Sequence, residues 1–256
     1  MSARKRRGGM TWVEVAHGDT IVEAGEDVWN WSSPAGQARF QARVKLFAEA
    51  LGLQDGQKKV LELGCGTGLY TASMAARCGS LISADISPTL LDQARKRPLT
   101  GAVRFVRQDL EAIDEASLGT GFDAVFGCSV LHHLDLDRTL PALARLVKPG
   151  ADLAFSEPNL LNPQVQIMFS GMAWAMKKWA VSESEMAFYP WELKSAFEKH
   201  GFEVRSLFPF DFIHPSIPRP LVGVAQRISR LIERAPGLRY FGGSLFIHAR
   251  YQGGGR

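Results

Sequence analysis

The chain has 256 residues, 46% of them hydrophobic and 22% charged, which suffices for one full core and suits one or two domains. The net charge is +4, in part from the run Arg4-Lys5-Arg6-Arg7, which has no aromatic or amphipathic company and reads as a solvated terminus. The three cysteines Cys65, Cys78 and Cys128 form no Cys-x-x-Cys pair and no histidine cluster has zinc-ligand spacing, so neither a disulfide framework nor a metal site is expected. The start of the chain lacks the apolar stretch of a signal peptide and no run of about 18 apolar residues occurs, so the expectation is a cytoplasmic protein with no membrane span.

Residues 1–27 are polar and poorly periodic. From Ala38 to Leu51 apolar residues recur at helical spacing, predicting a helix over 35–51 closed by Gly52. A regular alternation follows. Strands are predicted at Lys59–Leu63, Ser80–Asp85, Val103–Gln108, Phe122–Cys128 and Ala151–Ser156. Helices fall between them over 68–78, from Ser87-Pro88 onward, and over Leu136–Val147. Beyond Glu157 the rhythm breaks. Helical spacing continues through 164–181 in a Met- and aromatic-rich stretch, followed by a helix at Trp191–His200. A strand at Phe202–Phe212, a basic amphipathic helix over 219–234 and a last strand at Gly243–Tyr251 complete the chain. This order predicts an α/β fold with a doubly wound, mostly parallel seven-stranded sheet. Residues 1–51 would form an N-terminal tail and capping helix, 52–159 the binding core, and 160–256 a lid insert plus the last strands of the same domain.

The chemistry concentrates at the ends of the early strands. Gly64, Gly66 and Gly68 stand in a strand-to-helix turn, where backbone N–H groups and a helix N-terminus can face a ligand. The spacing is G-x-G-x-G; the dinucleotide fingerprint needs a third glycine where Leu69 stands, which argues against NAD or FAD. Asp85 follows Gly64 by 21 residues, at the end of the neighbouring strand, where a carboxylate can accept from a ribose diol. Asp109, past the third strand, is placed to accept from an adenine amine, or it forms a turn. Glu62, inside the first strand, needs partners if buried; it either braces the loop or meets a ligand ammonium.

VLELGCGTG (60–68), SADIS (83–87), VRQDLE (106–111), FDAVFGCSVLHHL (122–134) and LVKPGADLAFSEPN (146–159) resemble class I S-adenosylmethionine-dependent methyltransferases, in style the small-molecule enzymes of ubiquinone and menaquinone biosynthesis. The resemblance implies S-adenosylmethionine as cofactor and S-adenosylhomocysteine as product. It implies that Gly64, Gly66 and Gly68 face the methionine and ribose, that Asp85 binds the ribose hydroxyls, and that Ile86 packs on adenine. Asp109 and the Leu110 backbone would lie beside the adenine amine, and Ser129 under the sulfonium. Arg43, with Arg39 as rival, would reach the cofactor from the helix before the first strand.

For the reaction, His132, His133 and Glu157 follow the fourth and fifth strands, which border the cofactor crevice in such a sheet. Histidine suits a general base near neutral pH; a structural role in the loop is the alternative for all three. No Asn/Asp/Ser-Pro-Pro-aromatic segment and no basic nucleic-acid module occurs, so a small acceptor is favoured over nucleic acid. The apolar 164–191 stretch reads as a helix packed on the core or, from its position after the fifth strand, as a lid for an apolar or lipid-like acceptor. The basic helix reads as a covering helix or a peripheral membrane contact. A cofactor-binding protein without methyl transfer is the competing class.

Overall fold

The computed structural model describes residues 30–172 and 185–253, together with Val15, Gly18, Asp19, Ile21, Val22 and Trp174. The basic run at 4–7 and most of the predicted 164–181 helix lie outside the described residues. Helix α1 (Pro34–Ala50) starts where Ser33 accepts from the Gly36 N–H and Pro34 presets the first turn. Then come β1 (Lys59–Leu63), α2 (Leu69–Met74), β2 (Ser80–Asp85), α3 (Pro88–Ala94), β3 (Val103–Arg107), α4 (Glu115–Leu118) and β4 (Phe122–Cys128). The chain continues through α5 (Leu136–Leu146), β5 (Val147–Pro158), α6 (Pro163–Met168), α7 (Pro190–Lys199), β6 (Phe202–Phe210), α8 (Val222–Arg234) and β7 (Ser244–Tyr251).

The seven strands form one sheet in the order β3-β2-β1-β4-β5-β7-β6. β7 alone is antiparallel, paired with β5 on one side and β6 on the other. The two-residue period of the strands feeds two cores. Leu61, Leu63, Ile82, Val125 and Phe155 pack on one face of the sheet with Leu140, Leu143 and Phe197. Val60, Leu81, Ala124 and Phe126 pack on the other with Phe40, Val44 and Phe47 of α1 and Met74 of α2.

The differences from expectation have local causes. Asp114 caps α4 through the Ala116 N–H, making a four-residue helix too short to leave a periodic signal. The Lys148-Pro149-Gly150 stretch read as a helix stop is already strand: Val147 pairs with Phe122 before a bulge, and regular pairing resumes at Asp152. α6 ends at Met168, before Gly171 at φ 80°.

Register sets the site. Leu63 lies level with Ala84 and Gly127, and Gly127 with Phe155. The residues after these, at Gly64, Asp85, Cys128 and Ser156, therefore share one carboxyl edge. β6 runs parallel to β5, so the connection from Asp211 to Gly243 emerges on that edge too.

Candidate active site at the carboxyl edge

The glycine turn is a backbone device. Gly64, Gly66 and Gly68 all have positive φ, at 63°, 53° and 78°, which L side chains adopt only with strain. Their surroundings differ. A Cβ on Gly64 would lie 2.5 Å from Val130 Cγ2 and one on Gly68 2.9 Å from Ala94 Cβ, whereas one on Gly66 would meet nothing within 4 Å. Gly64 and Gly68 thus serve packing, and Gly66 presents bare backbone to the crevice. Gly127, unremarked in the sequence, takes the other side of Val130: a Cβ there would lie 2.6 Å from Val130 Cγ1.

Asp85 closes the turn. Its Oδ2 accepts from the Gly66 N–H at 2.8 Å and its Oδ1 from the Ser87 N–H at 2.9 Å. Burial pushes its carboxyl above the ordinary value, opposed by those N–H groups and by His133 nearby. Each oxygen keeps a further lone pair for a ligand hydroxyl. Ser87 also caps α3 by accepting from Leu90. On the other flank Arg97, which carried no sequence signal, donates from Nε to the Thr67 carbonyl at 2.6 Å.

Glu62 projects to the α1–α2 face of the sheet. Its Oε2 accepts from the Thr71 hydroxyl at 2.5 Å and the Ser83 hydroxyl at 2.7 Å. Burial pushes its carboxyl up to about 7, against those two hydrogen bonds. These contacts tie β1 to α2 and β2, which is the bracing role of the two alternatives. Asp109 Oδ1 accepts from the Glu111 N–H at 2.9 Å in a turn at the end of β3. Leu110 is buried and Ile86 half-buried on the same edge.

Ser129 is exposed at the end of β4, in a left-handed conformation at φ 55°, with its N–H donating to the Ser156 carbonyl at 2.8 Å. A non-glycine residue there is held by its surroundings at some cost. Beyond it the chain wraps round Glu157. Glu157 Oε1 accepts from the Val130 and Leu131 N–H groups at 3.1 and 2.9 Å. Its Oε2 accepts from the His132 N–H at 3.3 Å and faces His132 Nδ1 at 2.8 Å. The carboxylate is buried and both oxygens are taken by the loop. These contacts suit the loop-bracing alternative for Glu157.

His132 is itself buried. Burial lowers its pKa, as does His133, while Glu157 and Glu185 act the other way. Its Nε2 lies 3.8 Å from Glu185 Oε2, and the His132 and His133 rings are 4.1 Å apart. His132, His133 and Glu185 each offer a ligand atom, all within 4.8 Å of one another, a set that can hold a metal ion. No spacing in the sequence reveals it, because Glu185 arrives through the fold. Phe188 bonds to Pro158 and Leu160, and Met186 donates to the His132 carbonyl.

Arg43 is engaged differently from the expected cofactor contact. Its Nη2 donates to Asp211 Oδ2 at 2.6 Å and to Ser244 Oγ at 2.8 Å, and its guanidinium stacks over Phe210 at 5.0 Å. Burial alone would lower its pKa, but Asp211, Tyr70 and Cys128 together outweigh burial and raise it. Burial would likewise raise Asp211, which Arg43 and Arg39 hold below the ordinary value. Arg39 grips the same carboxylate from Nε at 2.9 and 3.0 Å. The two rivals are partners in one cluster, which fixes the β6 exit to α1.

A glycine turn with a carboxylate on its N–H, at the switch point of a seven-stranded sheet with one reversed strand, defines a class. Residues 60–150 match the family model of a methyltransferase domain, and the sheet around them has the order and the single reversed strand of the class I methyltransferase fold. An uncharacterized methyltransferase of Mycobacterium tuberculosis is 36% identical over 111 residues, covering 42% of this chain and 55% of the relative. A ubiquinone biosynthesis O-methyltransferase of Hahella chejuensis is 37% identical over 110 residues, covering 42% and 45%. The chain thus spans about half the length of these curated relatives. Among solved structures, magnesium protoporphyrin IX methyltransferase from Synechocystis with bound S-adenosylhomocysteine superposes with a TM-score of 0.61 at 15% identity, over 95% of this chain and 100% of that one. SpnF, a cyclase, does so with 0.60 at 19% identity, over 86% and 83%. These two likenesses establish the fold.

Proposed function

We propose that the protein transfers a methyl group from S-adenosylmethionine to a small, apolar or lipid-like acceptor through oxygen, nitrogen or carbon. The observation that carries the reading is the open backbone of Gly66, whose N–H is held by Asp85. It offers a ligand both a bare peptide surface and a buried carboxylate. Asp85 would hold the ribose hydroxyls, Ile86 and Leu110 would flank adenine, and Asp109 would accept from its amine. Gly64, Gly66, Gly68 and Glu62 would shape the methionine end, Ser129 would lie beneath the sulfonium, and Arg43 would act from the rim through Asp211. When bound, the sulfonium supplies an already activated methyl group. The chain's part is then to align the acceptor, exclude water and take up any released proton.

His133 is the base in this reading, because it is half-buried and within electrostatic reach of Asp85. His132 is pinned behind it by Glu157. The test uses methyl-labelled S-adenosylmethionine with an organic extract of apolar metabolites and, separately, with nucleic acid. Label should enter the organic phase. His133→Asn should reduce its rate by about 100-fold or more while S-adenosylhomocysteine still binds. Label confined to nucleic acid would contradict the acceptor class. Binding without any transfer would favour the second reading, a cofactor-binding protein without methyl transfer.

A further inference from the structure

The connection from β6 to β7 turns a continuous apolar surface outward. In α8 the face toward the protein is mixed: Val222, Ala225, Gln226, Ile232 and Glu233 are half-buried and Ser229 is buried, with Ser229 Oγ donating to Glu233 at 3.0 Å. The exposed side carries an apolar stripe flanked by arginines. Leu221, just before the helix, and Val224, Ile228 and Leu231 are 54%, 52%, 49% and 66% exposed. Their spacing of three, four and three residues lines them along one stripe. In a helix covering a core, that stripe faces the core.

The short 3-10 turn Leu238–Phe241 continues the surface with Leu238, Tyr240 and Phe241, all exposed. The turn is clamped in place. Asn159 Nδ2 donates to the Tyr240 and Gly242 carbonyls at 2.9 and 2.7 Å, and Asn162 Nδ2 to the Phe241 carbonyl at 2.7 Å. Both asparagines follow the end of β5, so the apolar surface is fixed beside the carboxyl edge. Its rim is cationic. Residues 212–243 hold five arginines, all exposed, and a single acid, Glu233.

We propose that α8 and the turn at 238–241 dock on an anionic lipid bilayer. The helix lies in the interfacial plane, the apolar stripe enters the acyl boundary, and Arg227, Arg230 and Arg234 sit among headgroup phosphates. The cationic rim selects this occupant, since it complements an anionic surface along the whole length of the stripe. The contact is peripheral: 13 residues of helix reach only about 20 Å, and no helix among the described residues is long and apolar enough to cross a membrane. Docking sets the crevice at the bilayer surface, where an apolar acceptor partitions. That consequence rests on the proposed function; the docking itself does not.

The test is co-sedimentation of the full chain with vesicles of phosphatidylcholine alone and of phosphatidylcholine mixed with phosphatidylglycerol. The protein should bind the mixed vesicles at low salt, bind the neutral ones weakly, and lose affinity as salt rises. Ile228→Asp with Leu231→Asp should weaken partitioning about tenfold or more, and Arg227→Glu with Arg230→Glu should abolish the preference for anionic lipid. Both pairs should leave melting temperature and S-adenosylhomocysteine affinity unchanged, because these side chains are exposed. Absence of wild-type binding to mixed vesicles at low salt, or wild-type binding by the Asp pair, would overturn the proposal. So would a dimer in sedimentation equilibrium that the Asp pair dissolves while vesicles bind neither form. Vesicle binding without S-adenosylhomocysteine binding would leave docking standing and remove the methyl-transfer reading.

Discussion

The half of the carboxyl edge that runs from Gly64 to Asp109 and the half that runs from Ser129 to Asp211 are held by different means. In the first, the ties span 9 to 30 residues: Thr71 to Glu62 spans 9, Gly66 to Asp85 19, Ser83 to Glu62 21 and Arg97 to Thr67 30. In the second, Glu157 reaches back 27 residues to Val130, and Arg43 reaches 168 residues to Asp211. The first half is a local turn on adjacent strands, and a general nucleoside site can be made that way. The second adds, through Arg43 and Asp211, a tie between the two ends of the fold, and under the proposed function it faces the acceptor. The acceptor half should therefore be coupled to global stability more tightly than the cofactor half.

The largest effects should fall on the long-range ties. Glu157→Ala strands buried N–H groups of Val130 and Leu131 and releases His132, and should cost about 3–5 kcal/mol in urea unfolding. Arg43→Ala should cost a similar amount by leaving Asp211 buried against Arg39 alone, and Arg43→Met with Asp211→Leu should recover most of it. Equal stability of Glu157→Ala and wild type would break the distinction between the halves.

A smaller effect concerns Glu62. Its carboxyl is raised from 4.5 to about 7, so the folded state binds the proton more tightly than the unfolded chain does. The resulting stabilisation is full below about pH 4.5 and is lost as pH rises through about 7, a fall of about 3 kcal/mol. Glu62→Gln should flatten that slope in urea midpoints measured across the window. An unchanged slope would show that Glu62 does not titrate there.

The smallest and sharpest contrast lies within the glycine turn. Gly64→Ala should destabilise the fold by about 2–3 kcal/mol, through positive φ and the clash with Val130. Gly66→Ala should cost about 1 kcal/mol yet weaken S-adenosylhomocysteine binding more than it weakens the fold, because its side faces open space. Thermal melts and calorimetry on both variants separate the two roles; equal loss of stability would erase the distinction.

The same division explains what was legible in the sequence. VLELGCGTG, Asp85 and the strand alternation could be read because each depends on neighbours in sequence or in the sheet. β1, β2 and β4 fell where expected for that reason. Glu157 and Arg43 were noticed as residue types at suggestive positions, but not their partners: Glu157 turns back on the loop after the neighbouring strand β4, and Arg43 reaches Asp211 at the far end of the chain. Glu185 was invisible for the same reason, as it joins His132 only when 185–188 runs beside the end of β5. Gly127 had a local signal too common to single out, and Arg97 had none. The basic helix was legible as amphipathic, but periodicity cannot say which apolar residues look outward, and here Val224, Ile228 and Leu231 do.

The central claim is that the Gly66–Asp85 corner binds the adenosyl cofactor. Calorimetric titration of S-adenosylhomocysteine into wild type and Asp85→Ala tests it directly. Wild type should show one site, and the variant an affinity about 100-fold weaker, from the loss of charge-assisted hydrogen bonds. No binding to the wild type at millimolar ligand, or equal affinity in the two proteins, would contradict it.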